Sequence, residues 1–165
     1  MDIPSLHPVL APLGPLVGVF EGDGHGHYPT IEPFGYRERV SFAYHGGPVL
    51  AYTQRTWDPD TDRPMHGEAG YLRPAGNGRV EFTLAHTFGI TELQEGTLTV
   101  GDGADGGLHL AVTSTALGIA ATAKPVRHVR RAFHLEDDVL VSELWMAYSE
   151  VPETHHLAAE LHRVG

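Results

Sequence analysis

Histidine is the residue type with the greatest chemical potential in this chain of 165 residues. The sequence has twelve histidines and no cysteine. Neutral imidazole binds iron, zinc and other transition metals, and it also transfers protons near neutral pH. The absence of cysteine excludes disulfides, iron–sulfur clusters and thiolate catalysis. The histidines are therefore the first candidates for a functional site.

Two adjacent histidines, His155 and His156, lie near the end of the chain. An imidazole nitrogen here can serve as an axial heme ligand and leave the other axial position open. Strand alternation puts His155 in phase with Leu157 and Ala159, which predicts His155 inside and His156 outside. His156 would reach an interior pocket only through a β-bulge or a non-strand conformation nearby. The pattern alone leaves the two histidines equal as candidates.

A second group of histidines lies near the start of the chain. His25 and His27 are two residues apart, so they would face the same side of a strand. Together with His155 or His156 they could form a zinc site. No carboxylate or thiolate lies at a recognisable ligand spacing, so exposed surface histidines are the alternative that we favour.

His86 follows Phe82 and Leu84 in an alternating pattern, so we expect it to point inward. An inward histidine is either a hydrogen-bonded core residue or a residue of the ligand pocket. Other sites with a recognisable signature are not indicated, because the sequence has no HExxH motif and no evident grouping of serine, histidine and acid.

Glycines dominate the segment Gly22–Gly26, which reads GDGHG. No helix pattern and no Lys-Ser or Lys-Thr pair follows it, which excludes a dinucleotide fingerprint and a P-loop. Such glycines are typical of a strand that bends at a barrel corner. We also expect the missing side chains to leave room for a large flat ligand.

The elements that must position these residues are about ten short strand-like segments joined mostly by short turns. The 20 glycines and 12 prolines disfavour long helices. We predict one all-β domain over residues 1–165, a ten-stranded antiparallel up-and-down β-barrel, with a β-sandwich as the alternative. The proline-broken segment Pro4–Val17 predicts a short helical turn or a plug.

Three local features complete the strand pattern. Gly76–Gly78 predicts a tight hairpin turn, Gly101–Gly107 a flexible loop, and Ala116–Lys124 a loop over a pocket. Glu38 is unusual because it falls on the apolar face of its strand, in phase with Val40.

The formal net charge of −10 argues against binding to nucleic acid or to an anionic membrane surface. The sequence has no run of about 18 apolar residues, so we predict no membrane span. It begins without the basic region of a secretory signal. We therefore expect a cytoplasmic protein.

Several segments, in order along almost the whole chain, resemble the nitrobindin family of heme-binding β-barrels. The matching segments are Gly18–Ile31, Tyr36–Val40, Met65–Arg73, Ala85–His86 with Gly89–Glu92, Ala121–Lys124 and His156–Ala159. The resemblance implies a ten-stranded antiparallel barrel similar in architecture to fatty-acid-binding proteins and lipocalins.

The resemblance also implies roles for individual residues. It makes His156 the axial ligand of the heme iron and Thr30 a heme contact. Lys124 matches a family lysine, which implies a propionate or pocket contact, with a surface lysine as the alternative. Phe20 stands where the family pattern GxWxGxG has tryptophan. Phenylalanine keeps an aromatic ring and loses the indole donor.

The activity implied by the resemblance is that of a ferric heme b protein that binds nitric oxide and isomerises peroxynitrite to nitrate. Its partners would be these small molecules, and the oligomeric state, including a homodimer, stays open. Two alternatives use the same barrel. One is a heme-based nitric oxide sensor or carrier without turnover, and the other is a carrier of lipid or another apolar molecule.

Overall fold

The computed structural model describes residues 5–101 and 107–165, which form a closed barrel of ten antiparallel strands. Each strand pairs with its neighbours in the sequence, and the first strand pairs with the last. This confirms the up-and-down barrel and excludes the sandwich. The strands are β1 Gly18–Tyr28, β2 Ile31–Ala43, β3 Leu50–Trp57, β4 Pro64–Gly76, β5 Arg79–His86, β6 Ile90–Val100, β7 Leu108–Ile119, β8 Val126–Glu136, β9 Val139–Tyr148 and β10 Val151–Arg163.

Buried and exposed side chains alternate along the strands that form the barrel wall. In β3, for example, Leu50, Tyr52, Gln54 and Thr56 are buried and the residues between them are more exposed. The predicted hairpin between β4 and β5 is present. Asn77 and Gly78 both have positive φ angles there, 53° and 70°, as the two-residue turns that match strand twist require.

The predicted N-terminal plug is a 3₁₀-helix over Pro8–Leu16. Its three buried residues, Leu10, Leu13 and Leu16, are spaced by three and fall on one face, because this helix has three residues per turn. They belong to the main hydrophobic core. Arg163, at the end of β10, donates hydrogen bonds to the carbonyl oxygens of Pro15 and Val17 at 2.7 and 2.8 Å. The helix is thus fixed across one end of the barrel, which we call the closed end.

The opposite end, which we call the open end, is surrounded by the connections from β1 to β2, β3 to β4, β5 to β6, β7 to β8 and β9 to β10. Ala116–Lys124 is not a loop throughout, because Ala116–Ile119 completes β7 and only residues 120–125 connect to β8. Most of the predicted loop Gly101–Gly107 lies outside the described residues. The described residues contain no helix with the length and apolar character of a membrane span.

Candidate functional site

A cavity of about 600 Å³ occupies the open end of the barrel. Aromatic and aliphatic side chains supply much of its lining, among them Phe34, Met65 and Leu157. The cavity reaches the surface beside Phe88, whose residue surface is 58% exposed. Its volume lies within the range of about 300–1,000 Å³ that is typical of small-molecule and cofactor sites.

His156 lies in the wall of this cavity. Its Nδ1 atom is 3.0 Å from the backbone carbonyl oxygen of His27. Because a carbonyl oxygen only accepts hydrogen bonds, Nδ1 carries the proton and Nε2 keeps a free lone pair. The rings of Tyr28 and Phe34 pack edge-on against the imidazole, with centroid distances of 5.2 and 6.3 Å. The ring is therefore held in one orientation with a metal-ligating nitrogen available.

Burial also lowers the pKa of His156 below its ordinary value. The imidazole is consequently neutral at neutral pH, which is the form that binds iron. A neutral, oriented imidazole in an apolar cavity fits the requirements of an axial heme ligand.

A break in strand pairing explains how His156 reaches the cavity. Between β10 and β9 the register shifts from His155–Trp145 to Leu157–Leu144, leaving His156 as the extra residue. As a result His156 and Leu157, although adjacent, both line the cavity. His155 instead lies against the ring of Trp145, and its Nε2 is 3.2 Å from a carboxylate oxygen of Glu143. The strict alternation that favours His155 inside fails at this bulge.

Thr30 and Lys124 both lie at the cavity rim. Thr30 is in the turn between β1 and β2, and Lys124 is in the connection between β7 and β8. Both residues are exposed. A hydroxyl and an ammonium group at the mouth of an apolar cavity are suited to the carboxylate end of a largely apolar ligand.

His25 and His27 are exposed on β1. The His27 ring lies 5.6 Å from that of His155, centroid to centroid. Among the described residues, the group of metal-ligating side chains that converge closely is found elsewhere, at His66, Glu68 and His86. His25 and His27 are therefore exposed surface histidines, as the favoured alternative predicts, and they do not belong to a group of converging metal ligands among the described residues.

The glycines of β1 make room for aromatic rings rather than directly for a ligand. A Cβ atom on Gly24 would lie 2.3 Å from the Tyr36 ring, and one on Gly26 would lie 2.4 Å from the Phe34 ring. Both rings line the cavity. Phe20 is not part of this wall, since it is fully buried in the core, with the Arg163 guanidinium 4.6 Å from its ring centroid. The replacement of the family tryptophan thus lies at the closed end.

Four buried charged residues form a layer between core and cavity that we call the charged floor: Glu38, Glu68, Glu92 and Arg131. Arg131 donates to both carboxylate oxygens of Glu68, at 2.6 and 3.0 Å, and to Glu92 at 2.9 Å. The Tyr52 hydroxyl donates to Glu68 at 2.9 Å. A bidentate guanidinium–carboxylate pair is among the strongest hydrogen-bonded contacts in proteins.

The carboxyl groups of the charged floor differ in protonation. Burial favours the neutral form of Glu68, but Arg131 and the neighbouring histidines outweigh it and hold the pKa of Glu68 well below its ordinary value. The same balance, led by Arg131, lowers the pKa of Glu92. Glu38 has a side-chain amide donor, Gln54, at 3.1 Å, and burial raises its pKa to about 7. Glu38 is therefore the group of the floor that changes charge near neutral pH.

Of the residues in this region, the sequence patterns alone distinguish only Glu38 and His86. Arg131, Glu68 and Glu92 show the same sequence pattern as Glu38, namely a charged residue in the inward phase of a strand. Arg131, for example, lies two residues from both Val129 and Phe133 and so shares their inward phase. A charged residue in the apolar phase of a strand is a candidate for a buried network, and Glu68 and Glu92 follow the same rule.

The chain as a whole is similar in sequence and in structure to known proteins. A family model described as a THAP4-like, heme-binding β-barrel domain matches residues 9–163. A peroxynitrite isomerase of Nocardia farcinica is 49% identical over 159 residues, covering 96% of this chain and 93% of the relative. Peroxynitrite isomerase 2 of Mycobacterium avium is 43% identical and covers 96% and 97% of the two chains.

A solved structure shares the same architecture. The crystal structure of Rv2717c from M. tuberculosis superimposes with a TM-score of 0.93. The sequence identity is 42%, and the match covers 98% of this chain and 100% of the other. The similarity therefore extends over almost the whole of both chains.

Proposed function

This chain belongs to the family of THAP4-like, heme-binding β-barrel domains, and on that premise we propose that it is a heme-dependent peroxynitrite isomerase. The family assignment made from the sequence is confirmed by the match over residues 9–163. The activity is that named for the relatives in Nocardia and Mycobacterium. The cofactor in this proposal is heme b, bound in the cavity at the open end.

The observation that supports the proposal most strongly is the state of His156. Its Nδ1 atom is engaged by the His27 carbonyl oxygen, and its ring is neutral and packed between aromatic side chains. Nε2 is left as the iron ligand. Metal-binding histidines generally donate their other ring N–H to a carbonyl or carboxylate, which fixes the tautomer. The contact of His156 Nδ1 with the His27 carbonyl oxygen satisfies this requirement.

The rim residues complete the proposed cofactor site. Thr30 would contact the heme, and the Lys124 ammonium would pair with a propionate. The charge of Lys124 would also affect substrate entry. Peroxynitrite is an anion and the chain has a formal charge of −10, so a cation at the cavity mouth locally offsets the repulsion of the substrate.

When bound, heme would supply the iron chemistry by which peroxynitrite is converted to its isomer nitrate. The chain would contribute the His156 imidazole as iron ligand, Thr30 and Lys124 as anchors of the cofactor, and an apolar enclosure that limits water around the reacting centre. We also propose nitric oxide as a ligand, since a small neutral molecule enters an apolar cavity without losing a strong hydration shell.

The test uses His156→Ala, with His155→Ala as the matched control. Both substitutions remove an imidazole from the same strand, but only His156 lines the cavity. We expect the wild type and His155→Ala to retain a Soret band after desalting, and His156→Ala to lose it. Retention of the same band in His156→Ala would exclude this residue as the axial ligand.

The reaction is tested separately by stopped-flow decay of peroxynitrite with nitrate as the measured product. The heme-loaded wild type should accelerate the decay. Heme binding with unchanged decay would favour the nitric oxide sensor or carrier, and failure of the wild type to retain heme would favour a carrier of apolar molecules.

A further inference from the structure

Two histidines and one carboxylate converge on the cavity from β4 and β5. His86 Nδ1 lies 3.1 Å from His66 Nε2 and 3.2 Å from Glu68 Oε2, and the latter two atoms are 3.4 Å apart. The three residues line the cavity but lie on different strands from His156. We infer that this triangle, which we call the His66 triad, is a second metal site that binds a divalent transition-metal ion of the zinc type.

The spacing of the three atoms supports a tetrahedral ion. Ligands bonded to Zn²⁺ at about 2.0–2.2 Å in tetrahedral geometry lie about 3.3 Å from one another. The three measured separations, 3.1, 3.2 and 3.4 Å, bracket that value. Two imidazole nitrogens with one carboxylate oxygen are also a ligand set of catalytic zinc sites, which keep the fourth position open.

Neighbouring groups orient the ligand atoms. His86 Nε2 lies 2.5 Å from a carboxylate oxygen of Glu92. The carboxylate accepts, so Nε2 carries the proton and Nδ1 directs its lone pair into the triad. Arg131 fixes the plane of the Glu68 carboxylate by donating to both oxygens, and Glu68 Oε2 retains a second lone pair. A histidine held by a carboxylate is a common arrangement around bound metals.

The charges of the floor also favour a cation. The buried carboxyl groups of Glu38, Glu68 and Glu92 face a single buried guanidinium, that of Arg131, within the described part of the chain. The carboxylates of Glu68 and Glu92 exceed that guanidinium by one negative charge, so a bound cation reduces the charge imbalance of the layer.

The open position of the bound ion would face the cavity. A water molecule or a small oxygen anion would complete the coordination there. The site does not require heme, because none of its three ligands is the proposed axial residue. An experiment that disproves the metal site can therefore be distinguished from one that disproves the proposed isomerase function.

The experiment titrates the heme-free chain with Zn²⁺ by calorimetry and with Co²⁺ by visible absorption. We expect one ion per chain and the intense d–d bands of tetrahedral Co²⁺. His66→Ala should weaken Zn²⁺ binding by more than the roughly 10–100-fold that loss of an outer-shell partner costs.

His134→Ala is the matched control, because His134 also belongs to a histidine pair, with its Nδ1 3.1 Å from that of His109, but on the exposed surface. It should leave the stoichiometric site intact. No saturable binding by the wild type, or an equal loss of affinity in His134→Ala, would overturn the inference.

A measurement on the wild type covers the case in which His66→Ala does not fold. NMR of the Co²⁺-loaded chain should show paramagnetically shifted ring protons from two histidines. One exchangeable proton, the His86 Nε2–H bonded to Glu92, should exchange slowly. Shifted signals from one histidine only, or none, would contradict the site.

Discussion

The closed end of the barrel interior is filled by apolar side chains, whereas the open end holds a cavity above buried charges. At the closed end Leu10, Leu13 and Leu16 of the 3₁₀-helix pack into the core with Phe20 and Phe42. At the open end the charged floor separates that core from the cavity. The two ends are built from the same ten strands, so the difference lies in which inward-facing residues each strand supplies.

The comparison shows how one barrel combines stability with a site. Each leucine or phenylalanine buried at the closed end contributes about 1.5–3 kcal/mol. Removing an ion from water costs several kcal/mol, and the electrostatic attraction to its partner charges offsets only part of that cost. The favourable free energy of apolar burial at the closed end therefore offsets the cost of burying charges beside a cavity at the open end. Three substitutions test this division of roles.

The largest effect is expected for Arg131→Met, which leaves Glu68 and Glu92 buried without their guanidinium partner. Breaking a buried ion pair in this way costs about 3–5 kcal/mol of unfolding free energy. The measurement is urea denaturation followed by circular dichroism.

Arg130→Met is the control for Arg131→Met, because Arg130 is the adjacent residue but pairs at the surface with Glu153 and lies over the Trp145 ring. We expect it to cost at most about 1 kcal/mol. Equal losses in the two variants would show that the charged floor has no special weight in stability.

The next effect is expected at the closed end. Leu13→Ala creates a cavity beneath the 3₁₀-helix, where Leu13 is fully buried, and should reduce the free energy of unfolding by about 2–5 kcal/mol. Val9→Ala, on the exposed face of the same helix, should change it little. Heme retention by the folded Leu13→Ala protein should equal that of the wild type, and a weakened Soret band would mean that the two ends are coupled.

A smaller, pH-dependent effect is expected for Glu38→Gln. The folded-state pKa of about 7 lies above the ordinary value of 4.5, so the folded protein holds this proton more tightly than the unfolded chain. Stability contributed by Glu38 is therefore lost as pH rises from about 4.5 through 7. Glutamine cannot ionise, so the variant should be more stable than the wild type at pH 8, by up to about 3 kcal/mol.

Thermal denaturation of the wild type and Glu38→Gln at pH 5 and pH 8 checks this expectation. The two proteins should differ less at pH 5, where the carboxyl group is protonated in the folded state. A difference that is the same at both pH values would show that Glu38 does not titrate in this range.

Much of the fold was predictable because barrel strands leave a local signal. Alternation identified the strands, the Gly76–Gly78 turn was recognised by its residue types, and the prolines of Pro4–Val17 predicted a short plug. Where the prediction was wrong, at Ala116–Ile119, the small residues hid the end of β7. The site was only partly accessible, since His156 and Lys124 depended on family resemblance and the charged floor was represented by Glu38 alone.

The sequence by itself determined the strand order, the all-β class and the inward phase of most side chains, because these follow from the chemistry of residues one or two positions apart. Only the tertiary structure decided which inward residues lie at the same level of the barrel. Arg131 is 63 residues from Glu68 and 39 from Glu92, and their meeting depends on strand stagger and closure. The bulge that turns His156 toward the cavity likewise arises from the pairing of β10 with β9. The residue pattern of β10 alone does not predict it.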